Sequence, residues 1–328
     1  MSGPTDHDAF DGERLELAVP PALVGMRVDR ALAMLTGLSR AEAHALVVTG
    51  AVRLDERVVT KSSTALEESQ WLAAILPPAD DGGVQPDATV DVDVVIDDEG
   101  FVVVNKAPGL VVHPGAGQRV GTLVAGLLAR YPQMARLAED GTCDPGRPGV
   151  VHRLDKGTSG LLVVAKDAAA FASLSSQLAE RTMERTYLGL VEGHVIEERG
   201  VVDAPIGRST RQPTLMVVRG DGRVARTSYR VLERIDKPHA VTLLELKLEQ
   251  GRTHQIRVHL ATIGHPVVND VRYGHRRDRR LAEERFFLHS ATLAFSHPVT
   301  GQRVRAHAAL PQDLAPLVPG YVEDQATS

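Results

Sequence analysis

Cysteine is almost absent from this chain. Its 328 residues contain one, Cys143, which excludes an intramolecular disulfide framework, and the surrounding "TCDPGRPG" offers no companion ligand for zinc. Aromatic residues make up only 4%, so a tyrosine inside a motif is worth locating. No apolar run approaches the roughly 18 residues of a membrane-spanning helix. The acidic, polar start "MSGPTDHDAF" lacks the positive flank and apolar stretch of a secretory signal. Also missing are a Gly-x-Ser-x-Gly elbow, a phosphate-binding loop, a dinucleotide fingerprint and a His-Glu-x-x-His pair. The expectation is a folded cytoplasmic protein whose chemistry uses none of these devices.

What is present is ordinary in amount and uneven in placement. Charged residues at 24% and hydrophobic residues at 43% are typical of a globular chain, and the length allows about two domains. Residues 1–100 hold 7 Lys+Arg against 19 Asp+Glu, whereas residues 101–328 hold 30 against 23. A polyanionic partner is therefore expected on the second stretch.

Residues 1–13 read as a disordered polar tail, and "PPADDGGVQPDAT" has the Pro, Gly and Asp content of a linker, placed at 79–90. Before it, residues 14–78 read as a small module of two short helices and a β-hairpin, with Ser39 as a helix cap and Glu42 three residues on. After it, the strand-like runs "VDVVI", "FVVVN", "GLLVVAK", "RTYLGLVEG", "RTSYRVLER" and "AVTLLELKLEQ" alternate irregularly with two helical segments, "GTLVAGLLARY" and "AAAFASLSSQLAERTMER". The second segment places Phe171, Leu174, Leu178 and Met183 on one apolar side. This pattern predicts an α+β domain over 91–315, followed by a tail over 316–328.

Between two strand-like runs lies "HRLDKGTSG", residues 152–160. Asp155 is ionised at neutral pH and can act as nucleophile or base without prior activation, given orientation and a counter-charge. Arg153 and Lys156 are the local candidates for that charge. Alone, the spacing also fits a polar turn.

"HRLDKGTSGLLVVAK" resembles the catalytic signature of the RluA/RluD family of pseudouridine synthases. "ERTYLGLVEG" and "GRTHQIRVHLATIGHPVVND", followed by "RYG", match further motifs in the family's order, and the similarity runs from about residue 14 to about 315. Gly157 stands where this family often has an acid. The resemblance implies a pseudouridine synthase fold with an extended, mainly antiparallel mixed sheet, and an isomerisation of uridine within RNA that needs no cofactor. One carboxylate suffices for such a reaction because no water is activated and the base is kept, unlike ordinary glycoside hydrolysis. Asp155 would attack the sugar carbon or abstract a sugar proton.

By the same resemblance, Tyr187 would stack on the uracil and assist proton removal from its ring carbon 5. Arg257 would face the Asp155 carboxylate from a helix whose apolar stripe is Ile256, Leu260 and Ile263, with Arg252 as the rival assignment. Arg153 would help extrude the target nucleotide. The triplet His254, His259 and His265 lacks the spacing of a metal site, and capping or core hydrogen bonds are expected instead. Residues 14–78 resemble the S-four type of RNA-binding domain, with Arg27, Arg30, Arg40 and Arg53 as contacts to the RNA backbone. The expected partner is RNA, foremost large-subunit ribosomal RNA, bound by a monomer away from membranes. The alternatives are a synthase acting on transfer RNA, a hydrolytic nucleosidase and a non-catalytic ribosome-assembly factor.

Overall fold

The computed structural model describes residues 14–36, 38, 40–76, 83–115, 118–212, 214–274 and 276–322. The expected tail at 1–13, the cap Ser39 and residues 323–328 lie outside them. The chain divides into two compact units, residues 1–81 and 82–328.

The first unit contains β1 (Arg14–Ala18), α1 (Val28–Thr36), α2 (Arg40–Val48), β2 (Val52–Leu54), β3 (Arg57–Val58) and β4 (Trp71–Ile75). The helices and hairpin are those expected from the sequence. β1 and β4 were not, and they complete an antiparallel sheet in the order β1-β4-β2-β3. Helical spacing puts Val28, Ala31 and Leu32 of α1 on one face, and Ala43 and Val47 of α2 on another. Both faces join Val52, Leu54, Leu72 and Ala74 in one core. The period of two that buries Val52 and Leu54 leaves Arg53 exposed.

The second unit begins with β5 (Val94–Asp97), β6 (Phe101–Lys106), α3 (Leu123–Arg130), α4 (Arg136–Glu139), β7 (Ser159–Ala165), α5 (Ala168–Ala179) and β8 (Glu184–Glu192). It continues with β9 (Arg199–Asp203), β10 (Ile206–Arg208), β11 (Met216–Val218), β12 (Arg226–Ile235), β13 (Val241–Leu248), α6 (Gln255–Thr262), β14 (Leu288–Ser296) and β15 (Arg303–His307). Nine strands form one sheet in the order β5-β6-β7-β14-β8-β13-β12-β9, with β15 also on β14. Every pairing is antiparallel except β7 with β14.

The apolar runs of β6 and β7 are continuous because both faces of the sheet are covered. Val102, Val104, Leu162 and Val164 enter one core with α3 and α6, whereas Phe101, Val103, Leu161 and Val163 enter another with α5. Alternation along the strand sorts adjacent residues into opposite layers. Burying each such side chain contributes about 1.5–3 kcal/mol relative to leaving it in water.

Three expectations need correction here. α5 ends at Ala179, and Arg181 adopts φ 63°, so Met183 reaches the α5 core from beyond the helix. The described part of the proposed linker packs on α3: the Asp87 N–H donates to the Ala125 carbonyl at 2.9 Å, and Gly126 admits Val90 and Val92 where a Cβ would meet them at 2.9–3.0 Å. At the other end, Leu317 and Val318 of the expected tail are buried with Leu190, Leu243 and Phe287. In each case apolar side chains placed by tertiary packing overrode a local composition signal.

Candidate active site

Asp155 sits on a loop whose backbone is held from several sides. The loop leaves an isolated bridge between Val150 and Val164 and enters β7 at Ser159. Leu154 anchors it in the core. The Thr158 N–H closes a turn onto the Asp155 carbonyl at 3.0 Å, and the Gly109 N–H donates to the Lys156 carbonyl at 2.8 Å. Beneath the loop, the buried Lys106 ammonium donates to the carbonyls of Ala107 and Leu110, both at 2.8 Å, and of Lys156 at 3.3 Å. Burial, and secondarily the charge of Arg285, push the Lys106 ammonium down to about 7, with Asp155 pulling the other way.

Arg285 supplies the second brace. Its guanidinium donates to the Gly157 carbonyl at 2.7 Å and to Ser159 Oγ at 2.9 Å, and it pairs with Asp313 at 2.7 Å. Gly157 leaves no room for a side chain: a Cβ would stand 2.2 Å from the Glu284 carbonyl oxygen and 2.6 Å from Phe286. The acid often found at this position would therefore require the neighbouring backbone to move.

The counter-charge to Asp155 comes from neither local candidate. Lys156 turns to Glu284 at 2.6 Å, and the exposed Arg153 donates to His113 Nε2 at 3.0 Å. Instead Arg257, from α6, donates through Nη1 to Asp155 Oδ2 at 2.9 Å. Its other edge makes a two-point contact with Asp270, Nε to Oδ2 at 2.6 Å and Nη2 to Oδ1 at 2.9 Å. Its carbon lies 4.3 Å from the Phe286 ring centre and 5.1 Å from that of Tyr273. Burial works against the Arg257 charge, but the two carboxylates outweigh it and raise its pKa. This arrangement holds the Asp155 carboxylate in one orientation beside a buried cation.

Asp270 was quoted within a motif yet not assigned by sequence. It is 1% exposed and also accepts from the backbone N–H groups of Arg272 and Tyr273. Only the folded path from α6 to the following turn shows that it supports Arg257. The stripe proposed for α6 holds at Ile256 and Leu260, both buried, but Ile263 lies past the helix end and is 37% exposed. Arg252, the rival, donates to the Val224 carbonyl and does not contact Asp155.

Tyr187 is buried in the middle of β8, facing α6 with Leu154, Ile256 and Leu288. Burial raises its phenol pKa. Asp155, Tyr187, Arg257 and Arg153 line one cavity of about 70 Å³. His254 enters it from the start of α6 in a left-handed conformation, φ 56°, with Nε2 4.0 Å from Asp155 Oδ1 and Nδ1 2.7 Å from the Tyr273 hydroxyl. His259 bonds Thr227 and the Ala204 carbonyl, and His265 bonds the Glu192 carbonyl. Among the described residues no cluster of His, Cys, Asp or Glu is arranged to hold a metal ion.

In the first unit, Arg27, Arg30, Arg40 and Arg53 are all exposed. Arg27 makes a two-point contact with Asp29 at 3.0 and 2.5 Å.

The nine-stranded mixed sheet thus carries a carboxylate on a braced loop, with a guanidinium opposite and a buried tyrosine alongside. The same fold occurs in human RNA pseudouridylate synthase domain containing 1, with a TM-score of 0.54 and 30% identity, over 69% of this chain and 86% of that one. The family model described as RNA pseudouridylate synthase matches residues 100–262. A protein of Nitrosomonas europaea named ribosomal large subunit pseudouridine synthase D is 40% identical over 93% of this chain and 87% of its own length. An uncharacterized RNA pseudouridine synthase of Chloroflexus aurantiacus is 41% identical over 100% and 99%. The chain belongs to the RluA/RluD family of RNA pseudouridine synthases and is an isomerase acting on RNA.

Proposed function

We propose that this enzyme converts uridines of large-subunit ribosomal RNA to pseudouridine, with Asp155 as the reactive group. The observation that carries the reading is the contact of Arg257 with Asp155 Oδ2 in the wall of a cavity that Tyr187 also lines. Ribosomal RNA is favoured because several relatives, alike over most of their length, carry that substrate in their names. The first unit, which resembles an S-four module, would hold RNA through Arg27, Arg30, Arg40 and Arg53.

In the reaction the bond from uracil N1 to the sugar carbon C1′ breaks, and a bond from ring carbon C5 to C1′ forms. The C5 proton is lost and N1 gains one, so the RNA mass is unchanged. The Asp155 carboxylate can start this by attacking C1′, in a bond that C5 later displaces, or by taking the C2′ proton and returning it once the C5–C1′ bond has formed. Arg257 orients the carboxylate, and Asp270 fixes Arg257 through the second edge of the guanidinium. Tyr187 stacks on the detached uracil, and its raised pKa requires that its hydroxyl act as a hydrogen-bonding partner unless a stronger base relieves it. Arg153 occupies the space left by the extruded nucleotide.

The test is to incubate the purified full chain with unmodified ribosomal RNA and, separately, with transfer RNA, and to map pseudouridine. Pseudouridine in the large-subunit RNA is the expected product. Release of free uracil would instead indicate a nucleosidase, and binding without product a non-catalytic factor.

A further inference from the structure

Beside the Asp155 cavity lies a second one of about 410 Å³, lined by His113, Arg147, Arg153, Arg181, Arg185 and Arg252 among others. Arg153, Arg185 and Arg252 belong to the walls of both. The only carboxylate lining the second cavity is Glu249, and Arg181 and Arg226 already hold it at 2.7 and 3.1 Å. Positive charge is thus in clear excess.

Arg185 is the unusual member. It precedes Tyr187 by two on β8, so its side chain leaves the same face of the strand. It is 6% exposed, its Nε has no hydrogen-bond partner, and no carboxylate pairs with it among the described residues. Gly251 makes room for it: a Cβ there would stand 2.9 Å from Arg185 Nη1. Its charge also helps push His152 down to about 3, after the larger effect of burial. An unpaired buried charge is destabilising by several kcal/mol unless something compensates it. Arg257, equally buried, has two carboxylates. Arg185 is built like an anion site from which the anion is supplied by another molecule.

We infer that Arg185, assisted by Arg147, is a phosphate-binding subsite that takes an RNA phosphodiester adjoining the target uridine. Arg185 lines both cavities, so the phosphate belongs to the nucleotide whose sugar faces Asp155 or to its immediate neighbour. A guanidinium offers a planar pair of donors to two phosphate oxygens, which Lys cannot reproduce. His113 keeps Arg153 at the boundary: its Nδ1 lies 2.9 Å from the Pro114 carbonyl, which fixes the proton there and leaves Nε2 to accept from Arg153. The inference rests on the proposed function only in taking the ligand to be ribosomal RNA.

The test uses the full chain and a labelled ribosomal RNA fragment first shown to gain pseudouridine with the wild-type enzyme. Binding is measured over a range of salt concentrations for wild type, Arg185→Gln and Arg185→Lys. Loss of one phosphate contact should weaken binding by Arg185→Gln about tenfold or more and reduce the slope of log affinity against log salt by roughly one, with Arg185→Lys keeping the wild-type slope. A folding defect lowers the amount of competent protein without changing that slope. A wild-type slope in Arg185→Gln, or an equal loss of slope in both variants, would overturn the inference. Failure of the wild-type enzyme to modify any ribosomal fragment would count against the proposed function instead.

Discussion

The two adjoining cavities differ in volume, about 70 against 410 Å³, and in charge balance. At Asp155 the charge is answered: Arg257 lies between Asp155 and Asp270, and both of its edges are occupied. Across the wall formed by Arg153 and Arg185, guanidinium groups outnumber carboxylates and one is buried without a partner. A balanced site keeps a reactive group in one geometry, and an unbalanced site waits for an anion.

Variants on the balanced side should damage turnover more than binding. Asp155→Asn removes the reactive oxygen's charge, and product formation should fall by on the order of 10⁴ or more with RNA affinity retained. Arg257→Gln leaves Asp270 buried without its cation, so unfolding by denaturant should show a loss of about 3–5 kcal/mol as well as loss of turnover. Tyr187→Ala removes a stacking surface of about 1–3 kcal/mol, which corresponds to a decline of roughly 5- to 150-fold in the single-turnover rate. Tyr187→Phe keeps that surface, and its residual rate isolates what the hydroxyl supplies.

On the boundary, Arg153→Ala should slow the extrusion step about tenfold, because displacing a base from its stack costs a few kcal/mol. A substrate whose target uridine is already unstacked should recover most of that loss, measured as the ratio of rates on paired and looped targets. Stability should also depend on pH. Lys106 titrates near 7 when folded and near 10.4 when unfolded, so between these values the unfolded chain binds the extra proton and stability rises with pH. Denaturant unfolding at pH 7, 8 and 9 should show a rise of up to about 1.4 kcal/mol per unit, flattened in Lys106→Met.

Much of the scaffold was legible because its signal is local. The runs that became β6, β7, β8, β12 and β13 are apolar and β-branched, and α6 was read as a helix. β14 was overlooked although it joins β7 to β8 at the centre of the sheet. Its "LHSATLAFS" carries polar residues whose partners lie far away in sequence: His289 bonds Ser159 Oγ and the Ala308 carbonyl, each at 2.9 Å. The same limit governs the site. Asp155, Tyr187 and Arg257 were picked out through motifs, whereas Asp270 and Arg285 show their relation to the loop only once the chain folds. Asp270 is 13 positions from Arg257 and Arg285 is 128 from Gly157, and no periodicity links such pairs. Local spacing alone offered Arg153 and Lys156 as partners of Asp155; the motif resemblance named Arg257, and it is Arg257 that makes the contact.

The most direct measurement is a single-turnover reaction on ribosomal RNA with Asp155→Asn at enzyme concentrations that bind all of the RNA. The account predicts saturated binding and no pseudouridine at any enzyme concentration, while the wild-type enzyme converts its target. Pseudouridine formed by the variant at the wild-type rate would contradict the assignment of Asp155 as the reactive group.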